Sequence, residues 1–295
     1  MSHIYEALEK AEQKRNGYKL KEGEEKSPGI KKELLSLPSR NFDVPSFPLF
    51  QTGSLAAEQF RKLRTTLVKM QPLKTIMVTS ALQGEGKTFV SANLAVGIAF
   101  DLDLHALLVD GDLRNPSLPG HFGLAPGKGL TDYLTGTDTI PDLLNKTKLE
   151  KLTLLQGGSI SENPAELMSS NRMEALIEEM KTRYSDRYVI FDSTPVLVTS
   201  EAEVLAKMVD GIILVIQAGK TPRETVQQTI KTLGKEKIIG IVLNQIEFKS
   251  AALFSHYFSS NGYYYHYGYG KHGYGKRDQE NKKWWERIIR RNRAN

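Results

Sequence analysis

The chain has 295 residues, 40% hydrophobic and 25% charged, a composition that supports a packed globular core. The absence of cysteine excludes a disulfide scaffold, thiol catalysis and cysteine-ligated zinc or iron–sulfur centres, and suits a reducing compartment. The formal charge of +6 resides in residues 271–295, where nine Lys/Arg face three Asp/Glu; the other residues hold 31 of each sign, so the fold offers no basic excess for nucleic acid.

Residues 1–50 divide in two. Ile4 to Lys14 has Ile4, Leu8 and Ala11 at helical spacing and reads as a short amphipathic helix. Residues 16–50, rich in Lys, Glu, Ser and Pro, read as a flexible linker. The start lacks the apolar stretch of a secretory signal, and the longest nearly apolar run, Ala92 to Phe100, is far short of the ~20 residues that span a bilayer. A soluble chain is expected, organised as this N-terminal arm, a folded domain over 51–248 and a tail over 249–295.

A helix is predicted from Ser54 to Met70, stopped by Pro72. Strands are predicted at Thr75–Thr79, Ala106–Val109, Leu152–Leu155, Tyr188–Phe191, Ile212–Ile216 and Ile238–Leu243. Helices are predicted at Thr88–Phe100, Pro164–Tyr184, Glu201–Met208 and Arg223–Leu233. Short apolar strands separated by helices imply an α/β fold with a doubly wound, mostly parallel sheet covered on both faces. Residues 257–275, mostly Tyr, Gly and His, have neither helical nor strand patterning and read as disordered.

The first strand runs into Ala81-Leu-Gln-Gly84-Glu85-Gly86-Lys87-Thr88, which matches the P-loop pattern with Ala81 in place of the first Gly. Gly84 and Gly86 let the backbone curl so that N–H groups, including those of Glu85 and Phe89, can face phosphate oxygens. Lys87 can reach the outer phosphates, and the Thr88 hydroxyl can ligate Mg2+. The second strand runs into Asp110-Gly-Asp112-Leu-Arg114. If the chain stays extended there, Asp110 and Asp112 point the same way and can meet one metal ion. Tyr188–Phe191 runs into Asp192-Ser-Thr-Pro, a Walker B-type acid, and Ile238–Leu243 ends in Asn244, placed to meet a nucleotide base. Lys87, Asp110, Asp112 and Asp192 are the candidate catalytic residues. Thr88 and the three acids are the candidate metal ligands, and Arg114 joins the loop residues and Asn244 as a nucleotide contact.

This combination resembles the bacterial tyrosine kinases (BY-kinases), P-loop enzymes of the deviant Walker type that regulate capsular and exopolysaccharide export. The resemblance rests on the P-loop, the Asp110-Gly-Asp112-Leu-Arg114 and Asp192-Ser-Thr-Pro segments and the tyrosine cluster, and covers about residues 52–275. Val196 stands where the family more often has a second Pro. The resemblance implies ATP and Mg2+ as cofactors and autophosphorylation between subunits on Tyr257, Tyr263, Tyr264, Tyr265, Tyr267, Tyr269 and Tyr274. It implies a ring-like homo-oligomer assembled through Glu58-x-x-Arg61-x-x-Arg64, and a separate transmembrane activator of the polysaccharide machinery. The place of action would be cytoplasmic, at the inner face of the plasma membrane. Lys282-Lys-Trp284-Trp285 and the basic residues after it add a possible membrane-surface contact of their own. The alternative is a partition-type ATPase acting as a nucleotide-switched regulator. That family carries a second lysine early in the loop, where this chain has Leu82.

Overall fold

A computed structural model describes residues 47–50, 54–70, 72–183 and 186–246. The expected helix at Ile4–Lys14, most of the linker and the tyrosine-rich tail lie outside the described residues. Among these, no helix is long and apolar enough to cross a membrane.

The sheet has seven strands: β1 (Thr75–Ser80), β2 (His105–Asp110), β3 (Leu144–Lys146), β4 (Leu152–Leu155), β5 (Arg187–Asp192), β6 (Gly211–Gln217) and β7 (Ile238–Asn244), in the order β3-β4-β2-β5-β1-β6-β7. Every pair is parallel except β3 with β4. The helices are α1 (Leu55–Lys69), α2 (Lys87–Ala99), α3 (Leu118–His121), α4 (Leu130–Thr135), α5 (Ile140–Leu143), α6 (Pro164–Met168), α7 (Asn171–Arg183), α8 (Glu201–Met208) and α9 (Arg223–Leu233).

The alternation of each strand distributes its side chains between two cores. Ile76 and Val78 of β1, Leu108 of β2 and Ile190 of β5 join one core with Phe60, Leu94 and Ile98 of α1 and α2. Met77, Val109 and Phe191 join the other with Leu176 and Ile177 of α7 and Leu205 of α8. Both faces are buried, so the strands read as near-continuous apolar runs, and each such side chain contributes roughly 1.5–3 kcal/mol of burial. Helix α2 is buried from Val90 through Ile98 because it is covered by the sheet on one side and by α1 on the other.

The doubly wound parallel sheet agrees with the sequence expectation, and three local expectations are corrected. The helix expected over Pro164–Tyr184 is two helices, α6 and α7. Ser170 separates them: its hydroxyl donates to Leu167 O (2.7 Å) and accepts from the Met173 N–H (3.3 Å), diverting the backbone from a continuous ladder. The expected linker packs from Phe47 onward. Phe47 is buried with its ring 5.1 Å from that of Phe122, and Leu49 is buried beside Gly97 of α2. The antiparallel edge strand β3 and the short helices α3, α4 and α5 were not anticipated, each being too brief to show a period.

Ile190 is fully buried in a strand with neighbours on both sides. Ile190→Ala is expected to cost about 2–5 kcal/mol. It should appear as a lower urea midpoint with an unchanged slope.

Candidate active site

The carboxyl ends of β1, β2 and β5 converge because the order β2-β5-β1 places them side by side. Register pairs Asp110 with Asp192 across β2 and β5. Beside them β1 feeds the loop that starts α2 at Lys87.

The loop is held from below and from the side. Gly84 and Gly86 have φ of +82° and +94°, a region that side chains rarely adopt. Ala81 is not in that region, so its methyl is no obstacle where the pattern has Gly. Glu85 is buried; its Oε2 accepts the Leu82 N–H (2.8 Å), and its Oε1 accepts the Thr221 hydroxyl and the Gln217 N–H. Asn244 Nδ2 donates to Glu85 O (2.9 Å), and Gln245 Nε2 donates to Gly84 O (3.0 Å). Gln245 is the one described non-glycine residue with positive φ, at 54°. The N–H groups of Lys87, Thr88 and Phe89 lie in the first turn of α2, where no intrahelical acceptor exists and the helix dipole favours an anion.

The three acids have different surroundings. Asp110 is fully buried; its Oδ1 accepts the Asp112 N–H (3.3 Å), and its Oδ2 accepts those of Ser117 and Leu118 (both 3.0 Å). Burial raises its pKa to about 6 against these three bonds, which favour the charged form. Asp192 is fully buried with neither carboxylate oxygen hydrogen-bonded. Burial lifts it to about 7; the Lys87 ammonium opposes that rise, the Asp110 charge adds to it, and the Thr88 hydroxyl, close by though not in good hydrogen-bond geometry, favours the charged form. Asp112 Oδ2 lies 3.6 Å from Lys87 Nζ. The extended-chain reading of Asp110 and Asp112 is corrected here. Strand β2 ends at Asp110, and the pair is brought together by a turn in which the Asp112 N–H caps the Asp110 carboxylate.

Arg114 Nε donates to Glu201 Oε1 at 2.7 Å. Glu201 begins α8 and was not singled out in the sequence, since no motif marks a glutamate nine positions after Asp192. The Phe89 ring packs edge-on against Phe60 with centroids 5.8 Å apart. The Asn244 amide is spent on the P-loop backbone rather than turned free toward a base, and the Glu85 carboxylate is likewise a brace. Away from the site, Glu58 and Arg61 form a 3.0 Å exposed ion pair, whereas Arg64 reaches Gly97 O (3.4 Å) and Asp101 (3.8 Å) at the far end of α2.

A family model described as an AAA domain matches residues 73–244. The tyrosine-protein kinase YwqD of Bacillus subtilis is 38% identical over 197 residues, which cover 65% of this chain and 81% of that protein. The chain belongs to the bacterial tyrosine kinases. The tyrosine-protein kinase CpsD of Streptococcus agalactiae is 31% identical over 231 residues, covering 76% of this chain and 92% of the relative. The solved kinase domain of the Escherichia coli tyrosine kinase ETK superposes with a TM-score of 0.66 at 27% identity, covering 82% of this chain and 90% of that one. The deviant P-loop fold and the kinase class expected from the sequence both hold for this member of the family.

The donor set fits a magnesium ion. Asp192 offers two buried oxygens with no well-formed hydrogen bond, the Thr88 hydroxyl stands near them from the first turn of α2, and Asp112 lies beside Lys87. Among the described residues no three His, Cys, Asp or Glu side chains form a ready-made cage. Mg2+ takes one or two carboxylates and completes its shell with phosphate and water.

Two outcomes follow from this geometry. A methyl on Gly86 would lie 2.0 Å from Asn244 Nδ2 at a φ hostile to side chains. Gly86→Ala is therefore expected to weaken ATP binding roughly tenfold or more by calorimetry. In metal-free protein, Asp110 and Asp192 keep their protons to higher pH when folded than the ~3.9 of an unfolded Asp. The folded state then binds more protons across about pH 4 to 7, and stability falls as pH rises through that window. Asp192→Asn removes its share, so between pH 5 and pH 8 the variant is expected to gain on the order of 2 kcal/mol relative to the parent in urea unfolding.

Proposed function

We propose that this chain transfers the γ-phosphoryl group of ATP to tyrosines of its own C-terminal cluster, between subunits, and thereby regulates polysaccharide polymerisation or export. The observation that carries the reading is the pair of buried acids in register beside Lys87, one of them with both oxygens unpartnered. Such an arrangement is costly unless cationic and phosphate ligands complete it.

Lys87 and the α2 first-turn N–H groups would hold the phosphate charge. Phosphoryl transfer has a loose transition state, so positioning and charge stabilisation make up most of catalysis. Bound Mg2+, held by Thr88 with Asp192 and Asp112, would neutralise charge on the outer phosphates. A tyrosine phenol, with a pKa near ~10, must give up its proton as the new P–O bond forms and the bond to the ADP oxygen breaks. Asp112 is the proposed acceptor, because Asp110 is engaged by three backbone N–H groups.

The acceptors are Tyr257, Tyr263, Tyr264, Tyr265, Tyr267, Tyr269 and Tyr274, outside the described residues. Glu58 and Arg61, both exposed, are the proposed contacts of a ring-like homo-oligomer. Arg64 would act in assembly through its hold on α2. A transmembrane activator of the polysaccharide machinery is the proposed partner. The basic segment over 280–295 would meet an anionic membrane at the cytoplasmic face.

Incubation with Mg-ATP followed by mass spectrometry of the tail tests the reading. Phosphotyrosine is expected on the cluster and is expected to vanish in Lys87→Met. Phosphate release without phosphotyrosine would instead establish the partition-type ATPase.

A further inference from the structure

Glu201 is 2% exposed, and its carboxylate is only half satisfied. Oε1 takes the Arg114 Nε at 2.7 Å, while the buried Oε2 has no hydrogen-bond partner. As a stabilising device this is poor, since desolvating a carboxylate offsets much of what one ion pair returns. Replacement by an apolar side chain would serve packing better. The pair makes more sense as a means of fixing Arg114, whose side chain is 54% exposed and would otherwise sample many rotamers.

Arg114 lies in the loop after β2, and Glu201 opens the helix that follows the loop after β5. Arg114 lies two positions after Asp112, which meets Lys87. Glu201 follows the loop after β5, whose Val196 and Leu197 N–H groups donate to Ser80 O (2.9 Å) and Ala81 O (3.3 Å) at the start of the P-loop. Lys87 and Asp112 are only 15% and 14% exposed, whereas the Arg114 side chain, two positions further along the same loop, is 54% exposed. Glu201 holds the guanidinium by its Nε edge. The two Nη groups have no partner among the described residues and present a fork suited to two anionic oxygens.

We propose that Glu201 is a positioning residue that presents the Nη edge of Arg114 to the outermost phosphate, the one transferred, so that the pair selects a nucleoside triphosphate over a diphosphate. This rests on the kinase reading and adds a residue to it. The phosphates that ATP and ADP share fall to the loop and the α2 N-terminus, with Lys87 reaching the outer ones, so the Arg114–Glu201 pair should matter for ATP and hardly for ADP.

The test uses the full chain, with Kd for ATP and ADP measured by calorimetry in Mg2+, alongside thermal melting. Arg114→Ala and Glu201→Gln are each expected to reduce the ATP-over-ADP preference roughly five- to tenfold with ADP affinity unchanged, the net scale of a single hydrogen bond. The double variant should lose no more than either single one, since both remove the same contact. Glu201→Asp, which keeps the charge, should retain more of the preference than Glu201→Gln. A preference within twofold of the parent's in either single variant overturns the proposal, including the case where Glu201→Gln melts earlier and nothing else changes. Effects that multiply in the double variant overturn it too. A parent chain that binds ATP but yields no phosphotyrosine would count against the kinase reading and leave this ratio to stand on its own.

Discussion

Negative charge buried at the ends of two neighbouring strands is the constraint around which this molecule is built. Parallel pairing of β2 with β5 sets Asp110 opposite Asp192, both fully removed from water. Two adjacent carboxylates in such a place cannot both ionise cheaply. The fold resolves half of the problem itself by turning three N–H groups of the following loop onto Asp110. Asp192 is left with Lys87 as its principal counter-charge and only the Thr88 hydroxyl as a nearby donor. That unresolved half makes the pocket receptive to magnesium and phosphate.

Receptivity also requires that the loop keep its shape when empty. The left-handed turns at Gly84 and Gly86 are held by Glu85 from within, and by Asn244 and Gln245 from the end of β7. The edge strand β7, half-exposed along much of its length, therefore contributes to the site mainly through its last residues. Donors fixed in advance need no reorganisation as charge moves during transfer, which is where an enzyme of this class gains most.

The sheet was legible because parallel strands covered on both faces are continuous apolar runs, and five of the seven strands have that form, while β7 is an apolar run that the described fold leaves half-exposed. Strand ends were legible within a residue or so because each run stops at a polar residue: Ser80, Asp110, Asp192, Asn244. The loop chemistry was legible for Lys87 and Thr88, whose roles depend on their place in a short motif. The side-chain partners of Glu85, Phe89 and Asn244 were not legible, since they lie far off in sequence: Thr221, Phe60 and the loop backbone. Glu201 was invisible for the same reason, since only the folded chain brings it to Arg114. The break at Ser170 was hidden because a serine hydroxyl can turn outward or cap, and spacing does not distinguish the two.

The exit of the chain from β7 has a mechanical corollary. Gln245, strained into a left-handed conformation, grips the Gly84 carbonyl one residue before the described fold ends at Ile246. A shift at the end of β7 would therefore carry the Gly84 carbonyl with it, so the curl of the phosphate loop depends on the sheet's edge as well as on its own glycines.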